Sequence, residues 1–137
     1  MKIKQNKYDI RFSKLIRTRD VVCQRCLKGG RLECSHIFSR RHKAIRHDTR
    51  NAKALCFKCH RWWHEDPAEA NNWLISTIGQ VNADNLLRMA HSTHKNPHKA
   101  ELEILYAEME KEIDYLESIP EENREKLQFR NRYKGVI

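Results

Sequence analysis

Two Cys-x2-Cys pairs, Cys23 with Cys26 and Cys56 with Cys59, constrain this 137-residue chain more than any other feature. A two-residue spacer lets one backbone knuckle aim two thiolates at a single ion, and two knuckles complete the tetrahedral four-sulfur set that zinc prefers. A closed four-thiolate site has no open coordination position, so zinc held there is structural and any chemistry must come from other side chains. The fifth cysteine, Cys34, makes an odd count that suits a disulfide framework poorly, and it reads as a small core residue rather than a fifth ligand. Between the pairs lie 29 residues, more than the roughly 15 to 20 of a zinc ribbon. Something functional is therefore inserted between the knuckles.

The inserted segment is basic, and so is the chain. Lys plus Arg number 27 against 18 Asp plus Glu, a formal net charge of +9, which favours a polyanionic partner. Residues 1–50 hold 15 cations and 4 acids, whereas residues 99–118 hold 2 and 7, so the first third is the part expected to face nucleic acid. The length fits one domain and excludes a large two-domain dinucleotide enzyme. No stretch approaches the roughly 20 apolar residues needed to span a bilayer, and MKIKQNKYDI lacks a secretory apolar segment. A soluble, cytoplasmic protein with reduced thiols and no membrane association is expected.

Four regions follow: a basic N-terminal extension over 1–19, a knuckle core over 20–66, a helical extension over 67–118 and a basic tail over 119–137. In RLECSHIF, Leu32, Cys34, His36 and Phe38 share a parity, which predicts a strand after the first knuckle. The second knuckle, in NAKALCFKCHRWWHED, runs into a short helix. Asp66 as N-cap, Pro67 at the first helical position and Glu69 three residues on predict a helix over 67–78, stopped by Gly79. Residues 82–93 form a weaker helical segment. Asn96-Pro97 starts a longer helix to Ser118 with an apolar stripe of Leu102, Leu105, Tyr106, Met109, Ile113 and Leu116. That stripe packs on the protein's own core or forms a homodimer seam through 97–118. The fold class is α+β.

His60 and His64, four apart on a helical segment, project from one face as a metal-binding pair. At this point the string CSHIFSRRH…RN…LCFKCHRWWH resembles the ββα-metal motif of HNH endonucleases, in the version with two Cys-x2-Cys knuckles. His36, Asn51 and His60 match its three letters, at intervals similar to those of colicin-type HNH DNases. SHIFSRRH and ALCFKCHRWWHEDP are also similar to small phage-encoded HNH proteins, including those grouped with the NinG/Rap recombination proteins. The resemblance covers residues 20–66. It implies a small zinc-stabilised ββα-metal (His-Me finger) core with added C-terminal helices, and hydrolysis of DNA phosphodiester bonds.

Within that resemblance His36 is the general base, since an unperturbed imidazole is largely neutral at pH 7. Asn51 holds the loop and orients His36. His60 and His64 hold one catalytic divalent ion, with Mg2+, Mn2+, Ni2+ and Zn2+ all open, that binds the scissile phosphate and stabilises the leaving oxygen. The residue before the base, commonly Asp or His in the family and a metal ligand there, is Ser35, whose hydroxyl is a weak ligand. Either the two histidines suffice with substrate oxygens, or Glu33, His42 or Asp48 supplies a third group, or the metal site has decayed. Arg40, Arg41, Lys43, Arg46 and Arg50 lie in the intervening loop as DNA-phosphate contacts that read no sequence, so cleavage would be non-specific or structure-selective. The alternative is a zinc-knuckle module that binds nucleic acid without cutting it.

Overall fold

The computed structural model describes residues 4–93, 96–124 and 127; most of the tail expected to be basic and nucleic-acid-binding, 119–137, lies outside them. The chain is α+β and mostly helical: α1 (Lys7–Asp20), β1 (Glu33–His36), β2 (Ala52–Leu55), α2 (Phe57–Glu65), α3 (Pro67–Ile78), α4 (Gln80–Ala90), α5 (Lys99–Ser118) and α6 (Glu121–Arg124). Among these residues no helix is long and apolar enough to cross a membrane.

The charge pattern marks residues 1–19 only as a basic extension, yet 7–20 form a helix that builds the core. Asn6 starts it with a capping box: its Oδ1 accepts the Tyr8 and Asp9 amides at 3.0 Å each, and Asp9 Oδ2 accepts the Asn6 amide at 2.9 Å. Tyr8, Phe12, Leu15 and Ile16 recur on one face, interleaved with cations, and all are buried. They pack against Ala52 and Ala54 of β2 and against Leu105, Met109, Ile113 and Leu116 of α5. Each fully buried Leu, Ile, Met or Phe contributes about 1.5 to 3 kcal/mol of transfer free energy, so this cluster is the main stabilising mass. Leu105, Met109, Ile113 and Leu116 of the α5 stripe thus pack on the protein's own core against α1. Around its rim the acidic face of α5 meets basic α1, with Arg11 Nε 2.7 Å from Glu110 and Lys7 Nζ 2.9 Å from Glu103.

The two strands pair antiparallel with Glu33 opposite Leu55 and His36 opposite Ala52. They are joined by a long loop instead of a tight turn. β1 stops at His36 because Asn51 captures the next residues: Ile37 donates to the Asn51 carbonyl at 2.9 Å and Phe38 to its side chain at 2.8 Å. At Asp66 the expected N-cap side-chain bond is not formed. α2 and α3 instead meet back to back there, the Asp66 amide closing α2 on Trp62 and its carbonyl opening α3 on Ala70. Gly79, at φ +86, turns the chain so that α4 begins at Gln80, two residues ahead of the expected start. The long helix likewise starts at Lys99, after Pro97.

Candidate functional site

The four cysteines of the two knuckles come together, their sulfurs all within 4.8 Å of one another. Cys26 Sγ and Cys56 Sγ are 3.8 Å apart, the ~3.8 Å edge of a tetrahedron with metal–sulfur bonds of about 2.3 Å. The cluster can hold a structural metal such as zinc. Burial works against ionising Cys23, but the backbone amides of Cys26, Cys56 and Arg25 outweigh it and bring the thiol down to about 6. Cys59 moves the other way, to about 12, through burial and its thiol neighbours, while Arg25 Nη1 lies 3.6 Å from its sulfur. Cys34 stands outside this cluster and packs against the α1–α5 core, where burial pushes its thiol up to about 12. Trp63 packs beside Cys23, Leu55 and Cys59, and Trp62 carries the Arg25 guanidinium 3.7 Å above its ring.

His36 closes β1 with its imidazole against Phe12, ring centres 5.5 Å apart. Its Nε2 lies 3.0 Å from the Arg46 carbonyl. A carbonyl only accepts, so Nε2 carries the proton and the lone pair is left on Nδ1. Burial, with the charges of His47 and Arg40 adding to it, lowers His36 to about 4. Asn51 is fully buried. It spans the loop, accepting the Phe38 amide and donating to the carbonyls of Phe38 at 2.9 Å and Ile45 at 3.1 Å. Among the described residues no hydrogen bond joins its side chain to His36; it fixes the Ile45 carbonyl, next to the Arg46 carbonyl that His36 uses.

His60 and His64 stand on α2 with their Nε2 atoms 3.3 Å apart. Nδ1 of His60 donates to Glu33 Oε1 at 2.9 Å, which leaves the His60 lone pair on Nε2, turned toward His64. Burial and the neighbouring His60 both lower the His64 pKa. Glu33 therefore orients a histidine, as outer carboxylates do around metal-binding imidazoles. The other groups considered as further ligands sit elsewhere. Ser35, within β1, is buried at 4% exposure, His42 Nδ1 bonds the Ala90 carbonyl of α4 at 3.1 Å, and Asp48 accepts three bonds from Arg50.

His36, His60, His64 and Glu33 open onto one groove of about 1420 Å³ between α1, β1 and α2. The loop cations divide. Arg46 is clamped on buried Asp9 at 2.6 and 3.0 Å, Arg50 is clamped on Asp48 at 2.6 Å, and Arg40 lines the groove with Asp9 3.5 Å away. Arg41 and Lys43 are exposed. Arg46 and Arg50, expected as phosphate contacts, are each paired with a fully or nearly fully buried carboxylate.

Asp9 is the residue that motif reasoning misses. It holds Arg46 and also His47, whose Nε2 is 2.8 Å from Oδ1. Burial opposes its ionisation, but the His47 and Arg46 hydrogen bonds win and hold the carboxyl well below the usual range. Its one visible sequence signal is the Asn6-x-x-Asp9 capping box. Arg19 is a second such residue: buried, paired with Asp20 at 2.7 Å, it donates to the carbonyls of Thr49 and Ala52. The Asp20 carboxylate in turn accepts the Ala54 amide. This pair ties the end of α1 to β2. The chain matches no protein-family model, no curated protein and no solved structure.

Proposed function

We propose that the groove is the active site of a metal-dependent endonuclease of the HNH type, hydrolysing DNA phosphodiester bonds. The observation that carries this reading is the pair of imidazole devices facing one groove. His36 is neutral with its lone pair on Nδ1, and the His60 and His64 Nε2 atoms lie 3.3 Å apart. That separation is the ~3.3 Å edge of a tetrahedral site with metal–nitrogen bonds of about 2.0 to 2.1 Å. Further support comes from the order of elements. His36 ends β1, Asn51 closes the loop before β2, and His60 and His64 follow on α2, the order that the resemblance to HNH endonucleases implies.

A divalent ion held by His60 and His64 would supply positive charge for the phosphate and for the departing 3′ oxygen. The chain's own residues do the rest. His36 Nδ1 takes a proton from water as the water oxygen bonds to phosphorus and the bond to the 3′ oxygen breaks. The Arg46 carbonyl keeps the proton on Nε2 and so leaves the Nδ1 lone pair open to accept one. Glu33 keeps Nε2 of His60 free of a proton. With Ser35 buried and His42 and Asp48 engaged elsewhere, water and substrate oxygens would complete the coordination of an ion held by His60 and His64.

Relaxation of supercoiled plasmid tests this with Mg2+, Mn2+, Ni2+ or no added metal, and with His36→Ala alongside. The wild type should nick with at least one ion while His36→Ala binds and does not cut. If neither protein cuts any DNA while both bind it, the groove belongs to a nucleic-acid-binding module without catalysis.

A further inference from the structure

The wall of the groove facing the histidines is α1, a helix outside the motif that carries the nuclease reading. Its residues Ser13, Lys14, Arg17, Thr18 and Val21 line the cavity along one side. Lys14 and Arg17 are exposed. Arg17 is held by one edge only, Nε donating to the Ser13 carbonyl at 3.2 Å and to Ser13 Oγ at 3.3 Å. No hydrogen bond engages its two terminal nitrogens among the described residues, so a fork suited to phosphate remains.

The groove's acids cannot answer these cations. Asp9 is occupied by Arg46 and His47, and Glu33 by His60. The cavity is also larger than the roughly 300 to 1,000 Å³ of small-molecule sites. A polymer with regularly spaced negative charge fits it better than a small anion does. At about 1.5 Å rise per residue, the face from Ser13 to Val21 runs about 12 Å, three to four nucleotides at about 3.4 Å per strand step.

We propose that α1 is the rail that holds the nucleic-acid backbone across the site, Lys14 and Arg17 contacting phosphates beside the one that is cleaved. This moves the main contact surface from the 40–50 loop to the helix opposite the histidines. The inference rests on the nucleic-acid reading of the groove but not on catalysis.

The test uses the full chain in a His36→Gln background, so that binding is read without cleavage, with a fluorescein-labelled 20-base-pair duplex and anisotropy between 50 and 200 mM salt. Lys14→Gln with Arg17→Gln should lower affinity on the order of tenfold and flatten the slope of log affinity against log salt by about 1.8, for two lost phosphate contacts at about 0.9 each. Arg41→Gln with Lys43→Gln should change the slope by less than half as much. Lys14→Arg with Arg17→Lys, which keeps both charges, should restore the wild-type slope and separates a contact role from a folding defect. A loop pair that costs as much as or more than the α1 pair, an α1 pair that costs nothing, or no duplex binding at all overturns the proposal. Failure to cut DNA by a protein whose binding still depends on Lys14 and Arg17 would refute the nuclease reading and leave the rail standing.

Discussion

Acid should destabilise the wild-type protein more than a His36→Gln variant, and the difference can be worked out. In the folded chain burial lowers His36 to about 4, whereas in the unfolded chain it titrates near 6.5. Between those values the unfolded state binds more protons, so stability falls as pH falls. The contribution is present in full above about pH 6.5 and is lost as pH drops toward 4, amounting at 1.36 kcal/mol per unit to about 3 kcal/mol by pH 4. Glutamine does not titrate and can still donate to the Arg46 carbonyl. The gap between the two proteins at pH 7 should therefore shrink or reverse by about 3 kcal/mol at pH 4. Loss of metal from the cysteines at low pH affects both proteins alike and cancels. Urea unfolding at pH 7, 6, 5 and 4 measures it, with the His36 Hε1 resonance followed by NMR to place the midpoint. Parallel pH dependences, or a midpoint near 6.5, would refute the buried neutral imidazole and with it the base assigned to Nδ1.

Asn51→Ala strands the Phe38 amide and the Phe38 carbonyl, whereas the Ile45 carbonyl keeps the Asp48 amide at 3.2 Å; at about 1 to 3 kcal/mol per unsatisfied group, thermal melts should show a loss of at least about 2 kcal/mol, and a loss under about 1 would contradict the bonding described. Glu33→Gln should weaken divalent-ion binding at His60 and His64 about 10- to 100-fold in calorimetry while leaving the melting temperature nearly unchanged, and equal affinity would remove Glu33 from the site. Stripping metal from the cysteines with a strong chelator should expose Trp62, Trp63 and Trp73 to quenching while much of the helical dichroism of α1 and α5 persists, since that core contains none of the four ligands. Unaltered tryptophan quenching with metal loss confirmed would show that the cysteine cluster has no structural role.

The thiol pairs were readable because metal-ligand spacing is a local property, and so was the stripe of α5, where apolar residues stand against a glutamate-rich face. α1 carries an equally regular stripe, Tyr8, Phe12, Leu15 and Ile16, but Lys7, Arg11, Lys14, Arg17 and Arg19 are threaded through it and charge dominates the pattern. Only the structure shows that α5 supplies the acids that meet two of those cations. Loop arginines are ambiguous for a similar reason. The partner of Arg50 is two residues away and could be guessed, whereas that of Arg46 is 37 residues away. Asp66 had the composition of a capping residue, but its backbone, at φ −129 and ψ 70, is shared between two helices, and the side chain makes no cap.

The base proposed at His36 depends on this distant geometry more than on the letters around it. Its tautomer is set by the carbonyl of Arg46, and that carbonyl is held from both sides. Asn51 bonds the carbonyl of Ile45 just before it, while Asp9 grips the side chains of Arg46 and of His47 just after it. One anchor lies inside the motif and the other on α1. The same helix presses Phe12 against the His36 ring, buries Leu15 and Ile16 in the main core, and turns Lys14 and Arg17 to the groove. Substitutions on α1 should therefore separate by face. Those at Leu15 and Ile16 act on stability, those at Lys14 and Arg17 on binding, and those at Asp9 on the alignment of His36.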